Sequence, residues 1–497
     1  MPRDYAGAWE PSVGHYFYLM LLTPFLYQCQ QQPDALALQE QDRRVSYRQL
    51  LQQAQTIAAA LQAKGIQPGQ PVAIHLDRGI DAASALFGVL LSGACYVPLD
   101  LKNPVARLSF IIADARVRVV IGSRARAPAW LDDSLWLDIA SCNEATPATV
   151  ETPAESLAAI LYTSGSTGQP RGVAISHRAI SAFTSWASEL LRLTPADRIA
   201  SSAPFFFDLS TFDLYAVLGA GASLHFVPSG LPMAPARLSA WLNERAISGW
   251  YTVPSLLAFL TYKGNLAQTP LAGLRFLIFA GEVLPTPALI DLAASLPQTA
   301  LYNFFGPTET NVCCYWPVAR ERLVAEQTIP IGLPAAGCEL TIDAETGELW
   351  VRGPTLASGY WRDGRVQSFM SADGWYATGD RASLEQNEYR FHGRLGRMLK
   401  CSGYRVEPAE IETIVNAIPG VKACAVIGMD DPTAGQRPAL ALVFEQEASI
   451  GEIRKVLNRQ LPAYMQPSRY LVMEDLPKLA NGKLDLQQIN NLFETQL

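Results

Sequence analysis

The feature that most constrains the fold is an alternation of short apolar runs with longer segments of helical spacing. Residues 47–61 carry apolar side chains at helical intervals, and 71–76 read as a short strand. Residues 82–91 form an apolar helix ended by Ser92 and Gly93, and 94–97 form the next strand. Further short strands recur at 118–121, 224–227, 249–253 and 274–280. Strands that alternate with helices predict parallel sheets covered by helices. At 497 residues the chain is too long for one core. After Gly306 the texture changes to short alternating segments near 330–332, 346–353 and 373–376, which predict an antiparallel β unit. From about residue 396 a compact tail follows: a helix at 408–417, strands at 423–427 and 439–444, and a helix at 450–459.

One loop stands out chemically. Leu161, Tyr162, Thr163, Ser164, Gly165, Ser166, Thr167, Gly168, Gln169, Pro170, Arg171 and Gly172 follow an apolar run at 157–161. Glycine lets backbone N–H groups approach an anion closely, hydroxyls add donors, and Arg171 adds a fixed charge. That chemistry suits a polyphosphate and hence a nucleotide. The spacing is neither GxxxxGK[ST] nor GxGxxG, and a Ser/Gly stretch read alone is equally a solvated turn.

Composition narrows the field. The net charge of −7, with no basic stripe, argues against non-specific nucleic-acid binding. Eight cysteines without a CxxC pair and five histidines without HExxH argue against a zinc site or a disulfide framework, so a reducing cytoplasm is expected. The apolar run at 16–25 is too short to span a bilayer and is expected to be a core helix, behind a disordered arm of about a dozen residues.

Four more segments follow the loop in order: Asn303, Phe304, Phe305, Gly306, Pro307, Thr308, Glu309 and Thr310; then Tyr376 to Asp380; then Gly393 and Arg394; then Leu479 to Leu484, which contains Lys483. Taken singly, each has an ordinary structural explanation: Glu309, Asp380 and Lys483 as turn residues, Phe305 as core. As an ordered set they resemble the adenylate-forming superfamily, and within it the amino-acid adenylation domains of non-ribosomal peptide synthetases. The resemblance implies an α/β fold. A body of residues 1–395 would hold two α/β subdomains and a β-barrel-like subdomain, and a small, mobile α+β domain of residues 396–497 would carry the catalytic lysine. It implies a two-step ligase: a carboxylate attacks the α-phosphate of ATP, then a thiol displaces AMP.

The resemblance also implies roles. Thr163, Ser164, Gly165, Ser166, Thr167 and Gly168 would hold the β- and γ-phosphates with Arg171 nearby, where the family usually has lysine. Glu309 would ligate Mg²⁺, and Thr308 would meet the α-phosphate. Asn303 and Phe305 would flank the adenine, and Gly281, Glu282, Phe304 and Gly306 would also bind the nucleotide. Asp380 and Arg394 would hold the ribose, and Lys483 would bridge carboxylate and phosphate. Where the family commonly has an Asp or Lys hinge after Gly393 and Arg394, this chain has Gly396.

The amino-acid pocket implied by the resemblance is Asp208, Leu209, Phe212, Tyr251, Ile278, Ala280, Phe304, Val312, Cys313 and Lys483, with Phe207 alongside. Asp208 would pair the substrate's ammonium; read locally, it is also a helix N-cap. Apart from its two charged ends the lining is apolar, so charged and amide side chains would be left unpaired in it. Three aromatics favour a compact substrate, and the lining resembles that of stand-alone proline-activating members. The expected substrate is L-proline, with pipecolate, alanine and valine as alternatives. The expected partner is a separate carrier protein bearing phosphopantetheine, since only 14 residues follow Lys483. Neither nucleic acid nor membrane is an expected partner. An acyl-CoA synthetase and a D-alanine–carrier ligase are the competing readings within the superfamily.

Overall fold

The computed structural model describes residues 21–143, 145–165, 168–431, 435–445, 449–478 and 484–495. Ser166, Thr167, Lys483 and most of the apolar run at 16–25 lie outside these residues; the described part of that run leads into the helix Thr23–Gln31, which buries Phe25 and Leu26.

Two large sheets build the N-terminal body. In the first, Pro71–His75 lies between Cys95–Pro98 and Val119–Gly122, all parallel. In the second, Arg198–Ser201, Gly249–Thr252, Phe276–Ala280 and Ala300–Phe305 run parallel in that spatial order. The inner strands are almost wholly apolar because helices cover both faces: every residue of Pro71–His75 and of Phe276–Ala280 is buried, with His75 the polar exception in these two strands. The helix Tyr47–Ala63 starts where the periodicity starts, since Ser46 caps the Gln49 amide and the Gln49 side chain accepts from the Ser46 N–H.

The Gly-rich loop joins two antiparallel strands, Leu157–Thr163 and Arg171–Ser176, with Thr163 opposite Arg171. It therefore links two neighbouring strands inside the sheet and is not a turn from strand into helix. The β-rich section expected after Gly306 is an antiparallel sheet of Glu339–Ile342, Glu348–Arg352, Tyr376–Glu385 and Glu388–Arg394 in that order. Its last two strands place Asp380 opposite Arg394.

The chain then passes Gly396, which is exposed and has no atom within 4 Å of where a Cβ would stand. Beyond it, Leu399–Cys401, Tyr404–Val406, Val421–Asp431, Gly435–Phe444 and Arg469–Val472 form a separate sheet. Val406, Ile411, Leu440 and Ile453 fill one face of it, and Ala425, Ala441, Leu471 and Ile489 the other. This small α+β unit has its own core and meets the body through polar pairs and through the Tyr404 ring packed on Phe207.

Candidate active site

The site begins at a tight hairpin. Leu399–Cys401 and Tyr404–Val406 are joined by Ser402 and Gly403, both at positive φ (52° and 83°), the geometry of a two-residue turn matched to strand twist. Side chains alternate across a strand, so Leu399, Cys401 and Val406 enter the C-terminal core, while the cross-strand pair Lys400 and Arg405 faces the N-terminal body. The turn itself is pressed into the body. The Gly403 N–H donates to the Glu282 carboxylate, and a Cβ on Gly403 would stand 3.0 Å from Val253.

Arg405 reaches Glu309, with Nη1 at 3.2 Å and 3.4 Å from its two oxygens. The Tyr360 hydroxyl donates to the same carboxylate at 2.9 Å, and the Arg171 guanidinium lies 4.4 Å over the Tyr360 ring. Burial alone would raise the Glu309 carboxyl, but Arg405 and these hydrogen bonds hold it below its ordinary value. The Ser164 hydroxyl donates to the Arg405 carbonyl at 2.7 Å. The Gly165 N–H donates to Glu410 at 2.6 Å, and Arg107 donates to the other oxygen of that carboxylate at 2.8 Å.

Two adjoining cavities open beneath this hairpin. Asp208, Leu209, Tyr251, Ala280, Val312 and Thr308 line the first, with Phe207, Lys400 and Tyr404 on its rim. Burial pushes the Asp208 carboxyl up to about 6, although the Lys400 ammonium and hydrogen bonds from the Leu209 N–H and Thr308 draw it down. Asp208 caps no helix with its side chain; its carbonyl accepts from Thr211 before the wide helical turn Phe212–Val217. Phe212, Ile278 and Cys313, expected as lining, are fully buried and form the layer behind the wall. Phe212 and Phe304 each pack edge-on to Tyr251 with ring centres 5.7 Å apart, which fixes that ring.

Gly281, Glu282, Asn303, Phe304, Phe305, Gly306, Asp380 and Arg394 line the second cavity together. Gly281, Gly306, Pro307, Arg394 and Lys400 belong to both cavities and join them. Arg394 pairs with Asp380 at 3.1 Å and donates to the Thr378 carbonyl. The Asn303 side-chain N–H is already donated to the Pro330 carbonyl, and the Phe305 ring packs on Phe391.

Most of the described residues singled out in the sequence line these two connected spaces; Gly165, Gly168, Arg171 and Glu309 line neither, and Phe212, Ile278 and Cys313 lie behind the first. The sequence reading missed Lys400, Arg405, Glu410, Arg107 and Tyr360. The hairpin pair had a signal: a charge on each side of Ser402 and Gly403, set among the apolar Leu399, Cys401 and Val406. Arg107 had none, because it lies in the helix Val105–Asp114 among residues that pack a core.

Residues 25–361 match the AMP-binding enzyme family, and residues 410–483 match the AMP-binding enzyme C-terminal domain. The L-proline–[L-prolyl-carrier protein] ligase of Streptomyces coelicolor is 36% identical, over 90% of this chain and 91% of its own length. The ligase of the same name from Pseudomonas fluorescens is 33% identical, over 91% and 95%. Among solved structures, holo-PA1221, an NRPS protein containing adenylation and PCP domains bound to a vinylsulfonamide inhibitor, superposes with a TM-score of 0.83 at 26% identity, over 95% of this chain and 84% of that one.

Proposed function

The chain belongs to the AMP-binding enzymes, and on that premise we propose that it activates L-proline as prolyl-AMP and passes the prolyl group to the phosphopantetheine thiol of a separate carrier protein. One observation carries the reading: the Asp208 carboxylate stands beside Leu209, Tyr251, Ala280 and Val312 in a cavity that Asp100, Lys400 and Arg405 also line, and that opens directly onto the one bearing Asp380 and Asn303. Both relatives named above are called L-proline–carrier protein ligases, which supports the choice of amino acid.

In this reading Asp208 accepts the two N–H donors of the prolyl ammonium, and Tyr251, Ala280 and Val312 enclose the ring. Asp380 accepts from the ribose hydroxyls, a role suited to a carboxylate that Arg394 keeps oriented. The base lies among Gly281, Glu282, Asn303, Phe304, Phe305 and Gly306. The loop from Thr163 to Gly168, with Arg171 nearby, holds the outer phosphates, and Thr308 meets the α-phosphate. Joining a carboxylate to a phosphate brings two anions together, so positioned cations and N–H donors contribute more than acid–base groups. Lys483 supplies that cation while the adenylate forms, and rotation of the domain from residue 396 onward exchanges it for the hairpin face bearing Lys400. The first half-reaction releases pyrophosphate; in the second the thiol sulfur bonds to the acyl carbon and AMP leaves.

The Glu309 carboxylate suits Mg²⁺, a hard cation that takes one or two protein carboxylates along with phosphate and water oxygens, and its chemistry would be to neutralise phosphate charge. Arg405 covers Glu309 in this pose, so the metal would bind Glu309 with the hairpin withdrawn. No described helix is long and apolar enough to cross a membrane, and we place the enzyme in the cytoplasm, in keeping with the eight free cysteines.

The test is amino-acid-dependent ATP–pyrophosphate exchange with each proteinogenic amino acid, D-alanine and pipecolate. L-Proline should give the highest rate. Strong exchange with another amino acid and none with proline would refute the substrate, and a CoA thioester without carrier loading would favour the acyl-CoA synthetase reading.

A further inference from the structure

Tyr251 and Ala280 both line the first cavity, and the sheet dictates what backs them. Cross-strand partners share a face. The pairs Tyr251–Ile278, Ala280–Phe304 and Phe304–Tyr315 therefore set Phe304 between Ala280 and Tyr315 on one face. Phe304 is buried and meets Tyr251 edge-on, with ring centres 5.7 Å apart. A further contact comes from the helix His177–Leu191. Its half-buried Trp186 lies 5.2 Å from Phe304, centre to centre, and meets Tyr315 edge-on at 5.1 Å. Ile180, Phe183 and Ala187 bury the inner face of that helix, so Trp186 stands on a fixed backbone. Trp186 itself lines neither cavity. Close-packed rings have few staggered alternatives, and Trp186 with Tyr315 fills the space into which the Phe304 ring could otherwise turn.

We propose that Trp186 is a positioning residue that sets the size limit of the amino-acid cavity: it pins Phe304 behind Ala280 and does not touch the substrate. The proposal deepens the functional reading above and rests on it. Ala280 leaves room for a compact ring, and Phe304, its neighbour across the sheet, stops a larger one. Truncating Trp186 leaves a void beside Phe304 rather than beside the substrate. A packed interior closes such a void in part by moving its neighbours. The ring free to move is Phe304, because Tyr251 is also held edge-on by Phe212. The cavity then lengthens past Ala280. Asp208 stands on a different segment and keeps its hold on the ammonium. The change acts on side-chain size and leaves amine recognition in place.

The experiment is ATP–pyrophosphate exchange with L-proline and with L-pipecolate, whose ring is one methylene larger. It compares the unsubstituted enzyme with W186A, W186L, F304A and the double variant F304A/W186A. One methylene in an apolar pocket changes kcat/KM by about tenfold or more, so W186A should raise the pipecolate-to-proline ratio of kcat/KM about tenfold, mainly through a lower KM for pipecolate. W186L, which keeps an apolar side chain there, should raise the ratio about threefold. A gain toward the larger substrate cannot come from misfolding, and W186L keeps the test decisive if W186A does not fold. Because Trp186 acts through Phe304, the double variant should show the ratio of F304A alone. An unchanged ratio in the Trp186 variants, equal losses for both substrates, or effects that multiply in the double variant would each overturn the proposal. The functional reading fails by a different result, namely no exchange with L-proline in the unsubstituted enzyme.

Discussion

Asp208 is the residue on which the chemistry of the first cavity turns. An ionised carboxylate in an apolar wall is costly unless a cation meets it. Here burial raises its carboxyl to about 6, with Lys400 acting against the rise. A cationic substrate binds the ionised form, so lowering pH through 6 removes the acceptor. At pH 5 about one-tenth of the carboxylate remains ionised, so the KM for the amino acid should rise about tenfold between pH 7 and pH 5. Exchange kinetics measured across that range check it; a flat KM would mean that Asp208 does not hold the ammonium. Asp208 was legible through the resemblance of the segment Phe206 to Phe212 to an amine-binding site; read locally it was equally a helix N-cap. Arg107 was not, because its partner Glu410 lies 303 residues away and no local pattern announces a buried ion pair.

At the scale of elements, the hairpin turn at Ser402 and Gly403 delivers Lys400 and Arg405 to the body. Gly403 has φ +83° and stands against Val253 and Glu282, so a side chain there meets both backbone strain and a close wall. G403V should cost about 1–3 kcal/mol in the docked pose and lower the rate of carrier loading about tenfold or more, while ATP–pyrophosphate exchange persists. Equal losses in both half-reactions would show that the turn does more than seat the hairpin. Element types and approximate places were legible from periodicity: the helix expected at 47–61 is Tyr47–Ala63, and the strand expected at 249–253 is Gly249–Thr252. The strand expected at 423–427 extends over Val421–Asp431 because it pairs along its length with Gly435–Phe444, and such pairing is invisible to local sequence.

At the scale of the whole molecule, two units with separate cores meet through the pairs Arg107–Glu410, Arg405–Glu309 and Gly403–Glu282 and through the Tyr404 ring packed on Phe207. The existence of two units and the positions of the motifs could be read from the chain. The docked arrangement could not, since it depends on these long-range pairs. Gly396 lies at the junction with open space around it, so a substitution there acts on backbone freedom rather than packing. Proline fixes φ and restrains its neighbour, so G396P should slow overall thioester formation about tenfold or more with little change in Tm. Unchanged turnover would move the pivot elsewhere. The central claim is that the Asp208 carboxylate, set beside Leu209, Tyr251, Ala280 and Val312, selects a compact amino acid by its ammonium group. Its most direct measurement compares ATP–pyrophosphate exchange supported by L-proline with that supported by cyclopentanecarboxylate, which keeps the ring and carboxyl but lacks the nitrogen. The account predicts kcat/KM lower by about 30-fold or more for the carbocycle in the unsubstituted enzyme, and most of that gap lost in D208N. Equal exchange with both acids in the unsubstituted enzyme would contradict it.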